Sequence, residues 1–297
     1  MVKKISLVID ELTGCEGCKM SLLELIEPLL DSIMRDEIEI VYAPILLDAE
    51  SFDHADIALL AGSIRNSEDL EKARWIREKV DILVATGACA YIGGIHGLGN
   101  LFTWRDLVSG VFGNVNHEVA DEIPSLLEYT KPLWREVNVD YFIPGCPPNP
   151  DTIAKVLDGI KRGLKPHEIF EARTVCDECP LKREEKSASK VLRVIDTPVE
   201  QSTDRCLLEQ GYLCLGPSTL AGCGALCPKK GVPCIGCYGF VVKPGESFDN
   251  AIARTIASIG ASFKIEPPER IDDEILDTIG TFMKFILPSF FIPRIIK

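Results

Sequence analysis

Long apolar runs are missing from this chain: no stretch reaches the roughly 18 uninterrupted apolar residues that a membrane-spanning helix needs, so no integral membrane segment is expected. No leader is expected either. Met1-Val2-Lys3-Lys4 is followed by a short apolar run, Ile5 to Ile9, and then by a cysteine motif instead of a cleavage site, which places the chain in a reducing cytoplasm. Positive charge is in deficit, with 32 Lys and Arg against 45 Asp and Glu and a formal net charge of −13. Such a surface repels phosphate backbones and anionic lipids, so nucleic acid is excluded as an expected partner. Histidine is scarce, and His54, His96, His117 and His167 show no metal-ligand spacing with one another. His96, within Gly93-Gly94-Ile95-His96-Gly97, reads as a hydrogen-bonded structural residue. Trp75, Trp104 and Trp134 read as core or interface residues rather than electron relays.

Cysteine is what the chain has in excess, with twelve in 297 residues. In a reducing compartment, paired cysteines signal metal or redox chemistry more often than structural disulfides. Spacing divides the twelve into three sets of four: Cys15, Cys18, Cys89 and Cys146 stand apart, and the other eight crowd between Cys176 and Cys237. Four thiolates are the ligand complement of a cubane, so three 4Fe-4S clusters and an electron-carrying role are expected. An apolar content of 46% allows a sizeable core in one large or two ordinary domains.

From residue 3 to about 165, short apolar runs alternate with helix-period segments, the pattern of an α/β parallel sheet wrapped by helices. The expected strands are Ile5 to Ile9, Ile38 to Ala43, Asp56 to Ala61, Ile82 to Thr86 and Val139 to Ile143. Leu22, Leu25, Ile26, Leu29, Leu30 and Ile33 form one helical stripe, and Ile153, Leu157, Ile160 and Leu164 another, with Asn149 as its cap and Pro150 at its first position. Cys15, Cys18, Cys89 and Cys146 all follow the carboxyl ends of expected strands, which in a doubly wound sheet share one rim. Gly14, Gly17, Gly87 and Gly145 beside them allow tight turns. Taken alone, Cys15-Glu16-Gly17-Cys18 also fits a thioredoxin-type redox pair, and four thiolates also suit zinc; spacing does not separate these readings. Glu16, between two ligands, is a candidate proton relay or partner contact.

The second part, residues 166–297 against 1–165 for the first domain, is rich in Gly and Pro and poor in periodic stretches, so bound clusters are expected to staple it. The simplest partition gives Cys176, Cys179, Cys206 and Cys214 to one cluster and Cys223, Cys227, Cys234 and Cys237 to the other, with ligand exchange between adjacent sets left open and paired zinc ribbons as the alternative. Two terminal helices are expected. One is capped by Ser247, carries Phe248, Ile252, Ile256 and Ile259 and closes at Gly260; the other starts near Asp272 and carries Ile275, Ile279, Phe282 and Ile286. The apolar tail from Phe282 to Ile296, broken by Pro288 and Pro293, reads as packing on this chain or a partner, and the charged runs Lys182 to Lys186 and Pro267 to Glu274 as facing water.

Three passages carry a family resemblance: Thr13-Gly14-Cys15-Glu16-Gly17-Cys18, Thr86-Gly87-Ala88-Cys89-Ala90 followed by Gly93-Gly94, and Pro144-Gly145-Cys146-Pro147-Pro148. With these and the cysteine-rich second part, nearly the whole chain resembles the small, electron-transferring subunit of nickel-iron hydrogenases. The resemblance implies a flavodoxin-like first domain whose four cysteines hold the proximal cluster, with the Cys176 set as the distal cluster and the Cys223 set as the medial one. It implies a partner large subunit that carries the nickel-iron centre, so this chain would not split dihydrogen alone. Cys176 and Cys227 stand where many respiratory members have histidine and proline, which implies a 4Fe-4S medial cluster and similarity to the cytoplasmic enzymes of methanogens. Among these the chain most resembles the subunit that feeds heterodisulfide reductase, implying an iron-sulfur or flavin protein of that complex as acceptor. Deazaflavin-reducing and sulfhydrogenase types resemble it next. Ala61-Gly62-Ser63 lacks the acidic residue some hydrogenases carry there, a point of similarity to the quinone-reductase subunit of respiratory complexes. A zinc-binding scaffold remains the reading from a different class.

Overall fold

The computed structural model describes residues 4–25, 31–35, 37–113, 124–184, 187–194, 196–199, 204–242, 246, 248–261, 263–264, 275 and 277–289. Ile26, Leu29, Leu30, His117, Ser247 as a cap, the run Pro267 to Glu274 with the helix start at Asp272, residues 185–186 and the tail beyond Ser289 lie outside the described residues. The chain divides into two compact units, one of residues 1–169 with the segment from Phe285 onward, and one of residues 170–284.

In the first unit the strands are β1 (Ile5–Glu11), β2 (Ile38–Tyr42), β3 (Ala55–Ala61), β4 (Ile64–Asn66), β5 (Val80–Thr86), β6 (Leu126–Lys131) and β7 (Tyr141–Ile143). The helices are α1 (Gly17–Leu23), α2 (Ser67–Glu78), α3 (Gly87–Ile92), α4 (Trp104–Phe112), α5 (Pro150–Lys161) and α6 (Pro166–Ile169). Five strands make one sheet in the order β2-β1-β3-β5-β7, every neighbouring pair parallel. This is the doubly wound α/β order expected, with the strand order switching at β1/β3. β3 is central and reads Ala-Asp-Ile-Ala-Leu-Leu-Ala, nearly all buried, because helices cover both faces of a parallel sheet. Small side chains there let helices approach; Val8, Ala58, Leu60, Leu83, Ile76 and Ala73 form the core on the α2 side. Tyr42, Phe52 and Trp75 close one end of it with ring centroids 5.0–5.5 Å apart, which makes Trp75 a core residue. The antiparallel pair β4/β6 was not among the expected elements. α5 starts as expected, with the Asn149 side chain accepting the Asp151 N–H at 3.0 Å and Pro150 at its first turn.

The segment Phe285–Ser289 returns to the first unit. Phe285, Ile286 and Leu287 are buried, Ser289 Oγ donates to the Ile92 carbonyl at 2.9 Å, and Arg135 donates to the Ser289 carbonyl at 2.8 Å. The Pro288 ring fills the space that side chains at Gly93 and Gly97 would otherwise occupy. Packing on the chain itself is therefore what the described part of the tail does.

The second unit has little regular structure. Single β-bridges (Thr174 with Leu220, Leu192 with Tyr212, Thr219 with Phe240) stand in for a sheet, and the longer helix is α8 (Phe248–Gly260), after a short α7 (Leu226–Lys229). The expected helix carrying Ile275 through Ile286 is corrected to α9 (Thr278–Phe282). Asp277 caps it by accepting the Gly280 N–H at 2.7 Å, and Ile286 lies beyond its end.

Gly97→Ala should lower stability by about 1–3 kcal/mol through overpacking against Pro288, measured as a shift in denaturant midpoint. Combining it with Pro288→Ala should recover part of that loss, because the two changes share one contact.

Candidate metal-cluster sites

The first four cysteines converge because of strand register. Glu11 of β1 pairs with Ala61 of β3, Ala61 with Thr86 of β5, and Thr86 with Ile143 of β7, so these strand ends form one row at the carboxyl rim. Cys15, Cys89 and Cys146 each follow that row by a few residues, and Cys18 lies in the first turn of α1. Cross-links fix the three turns. Ala88 N–H donates to the Gly145 carbonyl at 2.7 Å, joining the Cys89 turn to the Cys146 turn. Thr13 is held by Asp69, which accepts its N–H at 2.9 Å and its hydroxyl at 2.7 Å while also accepting the N–H groups of Arg65 and Asn66. Glu11 reaches across the Cys15 turn and accepts the Glu16 N–H at 3.1 Å, placing its carboxylate where a side chain at residue 14 would stand. Gly14 is required there by that close approach.

Space for the thiols comes from absent side chains. A Cβ on Gly87 (φ +83°) would run into the Cys18 sulfur, and one on Gly94 (φ +68°) into the Cys89 sulfur. Both positions combine a left-handed backbone with a thiol in the place of a side chain, so only glycine fits. Cys89 is buried, Cys18 half-buried, and Cys15 and Cys146 are exposed. Burial pushes the Cys89 thiol up to about 12, and the nearby Cys146 and Cys15 add to this. Cys18 is raised first by burial, then by Cys89, Glu11, Cys146 and Cys15. The four sulfurs are thus within reach of one another's charge. Burial also raises Glu11, opposed by its bond to the Glu16 N–H.

In the second unit, Cys176 sits in a single 3-10 turn, Val175–Asp177, closed by reciprocal Thr174–Asp177 capping, and Cys179 N–H donates to the Cys176 carbonyl at 3.3 Å. Cys206 N–H donates to the Lys182 carbonyl at 2.7 Å. Cys214 is buried, and its sulfur accepts the Cys234 N–H at 3.3 Å. Cys176 is pushed up to about 12 by burial, then by Cys206, Cys179 and Cys234, and Cys214 to about 12 by burial, with Cys176 and Cys206 adding charge. The Cys176 and Cys214 sulfurs both lie against Gly216, with Cys234 beside them. Of the remaining set, Cys223 lies in the field of Cys227, and Cys234 in the fields of Cys214 and Cys223. Cys234 stands between the two groups, and Cys237 is half-buried nearby in sequence.

Among the described residues no three His, Cys, Asp or Glu side chains close on one point tightly enough for a single metal ion. The donor chemistry nevertheless fits a larger cationic group. Thiolates crowded and buried in this way repel one another and are poorly solvated, and a metal-sulfide core relieves both costs. His54 pairs with Asp81 at 3.1 Å on the surface, and His96 is held low mainly by burial. Trp134 N–H donates to the Tyr91 carbonyl at 3.0 Å. Sequence reading missed Glu11, Asp69 and Glu178. An acid at a strand end, in a helix first turn or inside a Cys-x2-Cys pair is the signal that could have found them.

The model for the NADH ubiquinone oxidoreductase 20 kDa subunit family matches residues 15–160. The chain is 40% identical over 290 residues to a subunit of the vhu F420-non-reducing hydrogenase of Methanocaldococcus jannaschii, covering 96% of this chain and 95% of that one. It is 39% identical over 306 residues to the Methanococcus voltae protein of the same name, covering 99% of both. An iron-sulfur subunit of an F420-non-reducing hydrogenase from Archaeoglobus profundus is 31% identical, with 92% of each chain covered. Among solved structures, a chain of an NAD+-reducing NiFe-hydrogenase superposes with a TM-score of 0.50 at 34% identity, covering 56% of this chain and 95% of that one. A chain of the actinobacterial-type NiFe-hydrogenase from Ralstonia eutropha gives 0.54 at 17% identity, covering 94% and 87%, which speaks to the fold alone.

Asp69→Ala should cost about 2–4 kcal/mol, because it strands several backbone N–H donors at the Cys15 turn. Asp69→Asn, which keeps one acceptor oxygen, should cost roughly half as much, both read by urea denaturation.

Proposed function

The chain belongs to the hydrogenase small-subunit family represented by those components of the F420-non-reducing enzymes, and from that membership we propose that it carries electrons from dihydrogen oxidation on a partner large subunit, through three 4Fe-4S clusters, to an acceptor protein. It is thus one component of an oxidoreductase complex. The row of strand ends that gathers Cys15, Cys18, Cys89 and Cys146 is the observation that best supports this reading. Those four would hold the proximal cluster, Cys176, Cys179, Cys206 and Cys214 the distal, and Cys223, Cys227, Cys234 and Cys237 the medial. When bound, each cluster supplies a site that takes up and releases one electron.

The chain's own residues set how readily that happens. Gly87 and Gly94 keep the sulfurs close to the backbone, where amide dipoles favour negative charge. Glu11, beside Cys18, places a carboxylate next to the first set and so works against added electrons. Cys89, Cys214 and Cys234 are buried, which limits solvent access to the sites. The acceptor is an iron-sulfur or flavin protein of a heterodisulfide reductase type complex in the cytoplasm; the relatives' description as F420-non-reducing favours it over a deazaflavin. The matching family model also describes a respiratory subunit, which keeps a quinone-linked partner as the second reading.

The native complex isolated without oxygen should contain at least about twelve irons and twelve sulfides per copy of this chain, with the partner's nickel-iron centre and any iron-sulfur acceptor adding to that number. Dihydrogen should bleach its visible absorption and produce paramagnetic signals. Zinc in place of iron, or clusters that dihydrogen leaves oxidised in a nickel-containing complex, would sink the proposal. Cys89→Ala should remove about four irons and cut hydrogen-dependent acceptor reduction at least ~10-fold.

A further inference from the structure

Glu178 lies inside the Cys176-Asp177-Glu178-Cys179 turn, yet its carboxylate is engaged far along the chain. One oxygen accepts the Gly222 N–H at 3.0 Å; the other accepts the same N–H at 3.1 Å and the Gly224 N–H at 2.9 Å. These donors are the residues on either side of Cys223. Gly222 (φ 125°), Gly224 (φ 65°) and Ala225 (φ 51°) have left-handed backbones; the Gly222 and Gly224 N–H groups face the Glu178 carboxylate, while the Ala225 N–H faces the Cys223 sulfur. For Ala225 that conformation costs roughly 1–2 kcal/mol, so something must hold it. Regular ladders do not reach here. Two further ties between the turns are Val175 N–H to the Thr219 carbonyl at 2.9 Å and Ala221 N–H to the Arg173 carbonyl at 3.0 Å. Neither touches a neighbour of Cys223.

We propose that Glu178 is a positioning residue: its carboxylate clamps the turn carrying Cys223 to the turn carrying Cys176 and Cys179, and so fixes the separation of the two clusters of the second unit. The inference rests on the cluster reading above. Electron hopping falls steeply with distance, so this clamp sets how well the two centres communicate.

The test compares the anaerobically isolated complex containing wild-type chain, Glu178→Gln and Glu178→Ala. Measured are iron and sulfide content, the magnetic interaction between the fully reduced clusters, and amide hydrogen exchange of a peptide spanning residues 220–226. Glu178→Gln keeps an acceptor oxygen, so it should retain full iron, slow exchange and a near-wild-type interaction. Glu178→Ala should exchange at least ~10-fold faster at Gly222 and Gly224, with an altered magnetic interaction or the loss of about four irons. Slow exchange and an unchanged interaction in Glu178→Ala overturn the proposal. Equal damage in both variants also overturns it, since charge rather than the clamp would then matter. Wild-type complex without iron sinks the cluster reading instead, and the exchange data still decide whether the clamp exists.

Discussion

Gathering several thiolates, with Cys89, Cys214 and Cys234 buried among them, is unfavourable until positive charge arrives, and this constraint organises the molecule. Burial and mutual repulsion raise Cys18, Cys89, Cys176, Cys214 and Cys234. Turns that present such groups must therefore be held by something other than the thiols. In the first unit the parallel sheet does this. Its register row Glu11–Ala61–Thr86–Ile143 is fixed by strands buried on both faces, where a slip of one residue would move every side chain to the opposite face and its packing. The loops inherit that precision within a few residues of the row.

The second unit meets the same constraint without a sheet. Cys214 and Cys234 belong to its apolar core, beside Val175, Leu207, Leu208, Tyr212, Leu215, Ile259 and Phe282. A thiol in a core is a small apolar group when protonated and a costly charge when not. On the proposed reading, cluster binding would convert those positions from filler to staples in a segment otherwise joined by single β-bridges. Placement of Cys234 between Cys214 and Cys223 suits a pair of centres packed side by side more than two independent fingers.

Much of the first unit was legible because its signals are local and periodic. All five strands of the parallel sheet were read within a residue or two of their ends, and so was the Asn149-Pro150 start of α5. The row of cysteine turns followed from strand polarity alone. β4 and β6 escaped because Ile64–Asn66 is too short to show a period, and Leu126–Lys131 pairs with it only at long range, with a break in register. α9 was read too long, since the spacing of Ile275, Ile279, Phe282 and Ile286 is helical but only Asp277 supplies a cap and the chain turns at Met283. Phe285–Ser289 returns to the first unit through Pro288 against Gly93 and Gly97, a fit of shapes that spacing does not encode.

The acidity of the chain has a structural side that composition hides. Asp56 accepts the Ser6 N–H and hydroxyl at 2.8 and 2.7 Å, Asp69 holds Thr13, Asp140 accepts the Leu83 N–H at 2.8 Å, and Glu209 accepts the Glu184 N–H at 2.9–3.0 Å. Glu178 belongs to the same group. Charge-assisted bonds of this kind are short and strong; Asp56 and Asp140 reinforce the β1/β3 and β5/β7 pairs, while Asp69 and Glu209 tie loop segments outside those strands. They also lessen a conflict, because thiolate-bound iron-sulfur groups are anionic and a free carboxylate beside one would be repelled. A carboxylate whose oxygens are already held by amide N–H groups projects less field onto its neighbours. An acidic chain can therefore carry anionic centres most easily where, as at Glu178, both carboxylate oxygens are bound to backbone; at Glu11 only one is, and the other is buried without a partner among the described residues.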